Sequence, residues 1–226
     1  MATDLYTWAS LLKVVDVFKA GNETGWVTPK CLYDPKTLSP GGRSVAPTMQ
    51  RGGPDYWVDH GTVGTNTLAF WGNGGSLNDS AGWSLAQYLV PRDNTQYRDG
   101  KVHDTEHTVF KMCPDKMATN HVGYAISNFS NSNCVGMEYE SRQNGVHDIT
   151  EAQYIKGALV FAHDAVTLGI EDWFRMMHGH IADRPRGRRT DPWAGRFDIA
   201  HSWELVQDIR ADSRIWQLWN LPVPQR

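Results

Sequence analysis

The sequence predicts an α/β domain with a mixed central sheet flanked by helices. Short apolar runs of strand length (Tyr56 to Asp59, Trp83 to Val90, His107 to Met112, Cys134 to Tyr139) are bounded by Gly-, Asn- and Pro-rich stretches. They alternate with helical patterns, over residues 4 to 20 and in the segment opened by Thr150. With 226 residues, 40% of them hydrophobic and 21% charged, the chain suits one globular domain with a sizeable core.

Taken in order, Leu5, Trp8, Leu11, Leu12, Val15 and Phe18 follow the three-to-four spacing of a helix, which Gly21-Asn22 ends. Residues 21 to 54 are rich in Pro, Gly, Ser and Thr and read as a long irregular connection, with a short strand near Ser44 to Pro47. A connection of that length in a compact domain is usually functional or flexible. Tyr56 to Asp59 reads as a buried strand ending at His60, followed by a Gly/Asn-rich stretch from Gly61 to Asp79. Trp83 to Val90 and His107 to Met112 are the next strands, and Cys134 to Tyr139 is an apolar strand that carries Glu138. Thr150-Glu151-Ala152-Gln153 has the capping-box arrangement. The helix it opens places Ile155, Leu159, Ala162 and Val166 on one face and stops at Gly169. Phe174 to Met177 is a short strand delivering His178 and His180, which share a strand face. Ser202 caps a last helix through Arg210, before a Trp216/Trp219 tail ending in prolines. Residues 1 to 54 are expected to form a helix and irregular extension packed on a catalytic domain of residues 55 to 226.

Composition narrows the function. A formal charge of -3 gives no electrostatic case for a nucleic-acid surface. Cys31, Cys113 and Cys134 are odd in number and lack a C-x-x-C pair, which argues against a disulfide framework and against thiolate zinc binding. The N-terminus lacks a basic n-region and no apolar run reaches membrane-spanning length, so neither a signal peptide nor membrane insertion is expected. Synthesis and initial residence in the cytosol follow. The ten Trp supply aromatic faces suited to sugars, or simply packing.

The chemistry lies in Met177-His178-Gly179-His180, followed eleven residues after His180 by Asp191-Pro192, and in His60 at the end of its strand. Two His, one Asp and an open fourth position form the ligand set of a catalytic zinc. If His60, His180 and Asp191 converge, the chain is a metal hydrolase. No H-E-x-x-H helix motif is present, which weighs against a zinc peptidase of another fold.

These pieces resemble a family in order and spacing. Val58-Asp59-His60-Gly61-Thr62 is similar to the V-x-H-H/x-T strand end of the zinc N-acetylmuramoyl-L-alanine amidases, the amidase-2 group whose fold peptidoglycan recognition proteins share. Ser84 to Val90 resembles S-x-H-Y-L-I, with Gln87 where His is common, and His107 to Met112 fills the slot of G-x-I-Y-x-L. Asn120-His121-Val122-Gly123 resembles W-H-A-G, and Asn133 to Glu140 resembles N-x-S-I-G-I-E-L-E. Gly179-His180 through Asp191-Pro192 resembles G-H-x-D-I-x-P-x-R-K-T-D-P, one residue longer here. Phe197-Asp198 matches the following F-D, so the resemblance spans roughly residues 55 to 210.

The resemblance implies that His60, His180 and Asp191 bind zinc and that Glu138 is the catalytic base. An oxygen ligand leaves zinc a stronger Lewis acid than a thiolate would. Arg189 stands where relatives carry Lys and would support the oxyanion, while His121 would contact substrate. Glu140 is the fallback base, expected to face solvent near its strand end. Relatives lacking the glutamate are thought to use a tyrosine where this chain has Ala86. Asn133 is expected to fix a turn and Cys134 to be a small buried residue. The implied substrate is peptidoglycan or a muropeptide, acted on by a monomer. The expected setting is a phage endolysin, held in the host cytosol until it reaches the wall. A recycling amidase and a non-catalytic peptidoglycan-binding module are the alternatives.

Overall fold

The computed structural model describes residues 4–16, 33–34, 39–40, 54–61, 86–93, 95–96, 102–112, 115, 121–122, 129–131, 133–141, 149–170, 175–181 and 197–224. Its centre is a six-stranded mixed sheet built from β1 (Lys13–Asp16), β4 (Tyr56–Gly61), β5 (Tyr88–Val90), β8 (Thr108–Lys111), β9 (Cys134–Tyr139) and β10 (Arg175–Met177), in the order β1-β8-β5-β9-β4-β10. Strands β5, β9, β4 and β10 are mutually parallel, and β8 joins β5 antiparallel while pairing β1 in parallel. Two two-stranded ribbons stand apart, β2 (Tyr33–Asp34) with β3 (Ser39–Pro40) and β6 (Thr95–Gln96) with β7 (Val102–His103).

Each apolar run expected to be a strand contains one, with β9 spanning the expected residues and β4 extended through Gly61. β5 covers only Tyr88–Val90 of the expected Trp83 to Val90 strand and leaves Ala86 and Gln87 outside it. Residues 83–85 of the expected Trp83 to Val90 strand lie outside the described residues, as do the short strand near Ser44 to Pro47, Cys31 and Cys113. Cys134 is a buried free thiol, and burial pushes it up to about 12, so it stays protonated and unreactive at neutral pH.

The N-terminal segment differs from its expected single helix over residues 4 to 20. α1 (Leu5–Leu11) stops at Leu12, whose ψ of 128° is extended, and Lys13–Asp16 then pairs with Thr108–Lys111 as the edge strand β1. The Lys13 N–H donates to His107 O at 2.8 Å. Leu11, Leu12 and Val15 fit a helical stripe. The β-branched pair Val14-Val15 fits a strand equally well, and an open sheet edge decided between them. This part of the expected extension therefore belongs to the sheet itself.

One face of the sheet is covered by α2 (Glu151–Leu168), whose capping box is formed as the sequence indicates: Gln153 N–H donates to Thr150 Oγ1 at 3.2 Å, and Thr150 N–H to Gln153 Oε1 at 3.1 Å. Gly169 ends the helix at φ 73°, a left-handed value that glycine adopts without penalty. Ile155, Ala158, Leu159, Phe161 and Ala162 pack on Trp57, Tyr88, Val109, Val135, Met137 and Tyr139 of the strands. Each large side chain so buried contributes roughly 1.5–3 kcal/mol. A Cβ at Gly157 would overlap the Tyr139 hydroxyl, so glycine sets how closely helix and sheet approach. Trp57 and Trp216 are fully buried, which answers the packing reading for those two tryptophans.

Inside this layer a charged pair ties β10 to β4. Arg175 Nε donates to Asp59 Oδ2 at 2.9 Å, both side chains being fully buried. Trp57 Nε1 donates to the other carboxylate oxygen at 3.2 Å, and Arg175 Nη2 donates to Tyr139 Oη at 3.1 Å. Lys156 is a second buried charge, donating to Pro91 O, Thr105 O and Asp93 Oδ1 where β5 runs out. Burial pulls its ammonium below the ordinary lysine range, with Asp93 opposing.

The carboxyl-terminal helices close the same layer. The last sequence-expected helix begins at Asp198, whose carboxylate accepts from His201 N–H at 3.0 Å. It runs as α4 (Ile199–Ala211), so Ser202 is a buried residue inside it and not its cap. α3 (His178–Ile181) precedes it and α5 (Ser213–Trp219) follows. Among the described residues no helix is long and apolar enough to cross a membrane.

Candidate active site

The parallel strands end in a row of functional side chains. β4 and β9 pair in a register that sets His60 opposite Glu138. Side chains alternate along a strand, so Trp57 and Asp59 face α2 while His60 projects from the other face, as Glu138 does between Met137 and Tyr139. β10 pairs Met177 with Asp59, which brings the next residue, His178, level with His60. Strand neighbours lie about 4.8 Å apart, and the His60 and His178 ring centroids are 4.5 Å apart with the planes inclined by 51°. The carboxyl ends of parallel strands are where α/β folds place ligands.

A third imidazole completes the cluster. His60 Nε2 lies 3.0 Å from His121 Nδ1, and His121 Nε2 lies 3.1 Å from the Cys134 carbonyl oxygen. A carbonyl only accepts, so His121 Nε2 carries hydrogen and, in the neutral ring, its Nδ1 accepts from His60 Nε2–H. The basic nitrogen of His60 is then Nδ1. His178 follows the same logic: its Nε2 donates to Val122 O at 2.7 Å, which makes Nδ1 its basic nitrogen. All three rings are 3% exposed or less.

Glu138 is half-buried on β9 beside this row. Its neighbour Gly136 has no room for a side chain: a Cβ would stand 2.7 Å from His121 Nδ1 and 3.0 Å from Ala86 Cβ. Gln87, where His is common in the motif, accepts the Gly136 N–H at 2.6 Å and so steadies β9 next to the site. Asn133 accepts from the Ser130 N–H and hydroxyl, each at 2.9 Å, and fixes the turn ahead of β9 as expected.

The structure brings together His60, Glu138 and His121 from the expected set, and adds His178. His180 is exposed on α3. The expectation that His178 and His180 share a strand face is corrected here. The backbone turns helical at His178, and residues two apart on a helix point about 200° apart, so one enters the site and the other meets solvent. Ile181 held a signal for this: it stands three residues after His178, as isoleucine follows histidine in G-H-x-D-I. Glu140 is buried, contrary to its expected exposure; its Oε2 accepts from Arg92 N–H at 3.3 Å and its carbonyl from Gln153 Nε2 at 2.9 Å. That anchoring gives Glu140 a structural task. Arg189 and Asp191 lie outside the described residues. Among the described residues no three His, Cys, Asp or Glu side chains form a group able to hold a metal ion. His60 and His178 nonetheless fit zinc as donors, because each has its other ring nitrogen committed to an acceptor, the arrangement common to metal-binding imidazoles.

The same arrangement of strands and helices occurs in solved amidases. The chain is similar to the crystal structure of an AmpD derivative, with a TM-score of 0.51 and 21% identity over 68% of this chain and 85% of that one. It is similar to AmpDh3 from Pseudomonas aeruginosa, with a TM-score of 0.52 and 17% identity over 79% of this chain and 73% of that one. A third similar structure is the N-acetylmuramyl-L-alanine amidase AmiD from E. coli, in complex with anhydro-N-acetylmuramic acid-L-Ala-D-gamma-Glu-L-Lys. There the TM-score is 0.50 and the identity 19%, over 72% of this chain and 62% of AmiD, so less than two thirds of AmiD is spanned. No family model and no curated protein matches the sequence. At these identities the likeness is one of fold, and the fold is that of the amidase-2 group.

Proposed function

We propose that the chain is a zinc-dependent N-acetylmuramoyl-L-alanine amidase, hydrolysing the amide between the lactyl group of N-acetylmuramic acid and the L-alanine that begins the stem peptide. The observation that carries this reading is the row formed by His60 on β4, Glu138 on β9 and His178 immediately after the end of β10, in a fold shared with AmiD. His60 and His178 would hold zinc through Nδ1, with Asp191 as third ligand. His180, implied by the motif spacing, is the alternative second imidazole, and its exposure weighs against it.

When bound, zinc supplies a Lewis acid that polarises the scissile carbonyl and eases deprotonation of water. Glu138 accepts the proton from the attacking water and returns it to the leaving amine of L-alanine, so that the amide C–N bond breaks without expelling an amide anion. Its place beside His60 on the next strand suits that transfer. Arg189, two residues before Asp191, would donate to the oxyanion as the carbonyl becomes tetrahedral. His121 acts on His60 in this reading and replaces the expected substrate contact.

Digestion of defined muropeptides followed by mass spectrometry tests the proposal. The expected products are a peptide with a new N-terminal L-alanine and a sugar with a free lactyl carboxylate, formed with zinc and lost with a chelator. A cut within the stem peptide or the glycan, or turnover indifferent to chelation, would overturn it. We read the biological setting as a phage endolysin, on the strength of the long Gly-rich insertion and the Trp-rich tail. Rapid clearing of a cell-wall suspension fits that setting, whereas activity confined to soluble fragments fits a recycling enzyme.

A further inference from the structure

We infer that His121 and Asn131 are positioning residues that together fix the tautomer and orientation of both His60 and His178. The two site imidazoles come from different elements, His60 from β4 and His178 from the start of α3. They share a support. The His121 side chain accepts from His60 Nε2 at 3.0 Å, and the carbonyl of the adjacent Val122 accepts from His178 Nε2 at 2.7 Å. Two consecutive residues therefore set the hydrogen position on both rings.

That pair of residues is itself clamped. Asn131 Oδ1 accepts from the Val122 N–H at 2.8 Å and from the His121 N–H at 3.1 Å, so one side-chain amide holds both peptide units. The His121 ring is pinned at its far nitrogen by the Cys134 carbonyl, and the missing side chain at Gly136 makes the space it occupies. Val122 is fully buried and packs with Val58, Cys134 and Ile181, which belong to β4, β9 and α3. The three elements that carry His60, Glu138 and His178 thus converge on this one turn. Partners that orient metal-binding imidazoles are worth about 10–100-fold in metal affinity. His121, expected from the sequence to touch substrate, acts instead through His60.

The test has a metal-free arm and a metal arm, and only the second rests on the zinc reading. In the metal-free protein, long-range proton–nitrogen NMR of the histidine rings should report hydrogen on Nε2 for both His60 and His178. His121→Leu, close to histidine in volume, should turn His60 into a tautomer mixture while leaving His178 unchanged. His121→Gln, which keeps a donor and an acceptor, should restore the His60 pattern. Asn131→Leu should disturb both rings, and Asn131→Asp, which retains the accepting oxygen, should disturb neither. In the metal arm, chelator competition should find zinc bound about 10–100-fold more weakly by His121→Leu and Asn131→Leu. The inference is overturned if folded His121→Leu shows the wild-type His60 tautomer, or if His60 in the wild type carries hydrogen on Nδ1. If the wild type binds no zinc the proposed activity fails, and the tautomer measurement still decides this inference.

Discussion

Arg175→Met is the most informative perturbation of the scaffold behind the site. Arg175 is fully buried on β10, three residues before His178, and its partner Asp59 is fully buried on β4, immediately before His60. The substitution keeps the apolar stem and leaves the Asp59 carboxylate without its cation. It also removes a donor to the Tyr139 hydroxyl and the guanidinium stacked 4.8 Å from the Phe161 ring centroid. Removing one member of a buried pair costs about 3–5 kcal/mol. For a chain of this length each kcal/mol moves the thermal midpoint by about 2–4 °C, so a drop of about 6–20 °C is expected by calorimetry. Replacing both partners, as Asp59→Leu with Arg175→Met, should be less damaging than Arg175→Met alone, although the Trp57 indole then loses an acceptor.

The pH dependence of this variant carries a sign. Burial raises the Asp59 carboxyl above its ordinary value and Arg175 opposes the rise. Without Arg175 the carboxyl rises further, and a group raised in the folded state holds more protons there than in the unfolded chain. Its contribution is then fully present below the ordinary carboxyl value and is lost as pH climbs through the folded one. The deficit of Arg175→Met should therefore widen from acid toward neutral pH. A single variant within about 1 kcal/mol of wild type, or a double variant worse than the single, would refute the assignment of this pair as the clamp between β10 and β4.

Three further outcomes are expected. Glu138→Gln should retain zinc by elemental analysis and lose most muropeptide turnover, by about 100-fold or more if Glu138 is the general base; near-normal turnover would remove it from the reaction. Gly136→Ala should weaken zinc binding and cost about 1–3 kcal/mol in urea denaturation, because its Cβ would stand 2.7 Å from His121 Nδ1; an unchanged protein on both counts would mean His121 relaxes without consequence. Asp115 is raised by burial and by the neighbouring Asp164, with Lys111 opposing, so its contribution is present below the ordinary carboxyl value of 3.8 and lost as pH rises through the folded one. The stability of Asp115→Asn relative to wild type should accordingly improve from about pH 4 to neutral, and a relative stability that falls over that range would contradict the sign.

Much of this architecture is legible in the sequence because the signals are local. The capping box at Thr150 and the glycine at 169 delimit α2, and the apolar run from Cys134 to Tyr139 is β9 without adjustment. His60 and Glu138 could be singled out because each closes or interrupts an apolar run, and register on adjacent strands then brings them together. What was not legible depends on partners far along the chain. Val14-Val15 becomes a strand only because the edge of β8 is available to it. His178 enters the site and His180 leaves it because the backbone turns helical after Met177, a switch that alternation across two histidines and a glycine does not announce. Glu140 looks like a strand-end surface residue until the β5 end, the Arg92 N–H and Gln153 close over it. Asn131 carries no motif at all; its role exists only through the turn it holds.

Zinc-edge anomalous diffraction from crystals of the zinc-loaded protein is the most direct test of the proposed centre. The expected result is a single peak within roughly 2.0–2.1 Å of both His60 Nδ1 and His178 Nδ1, with a carboxylate as third ligand. A peak bound by His180 in place of His178, or no peak near His60, would contradict it.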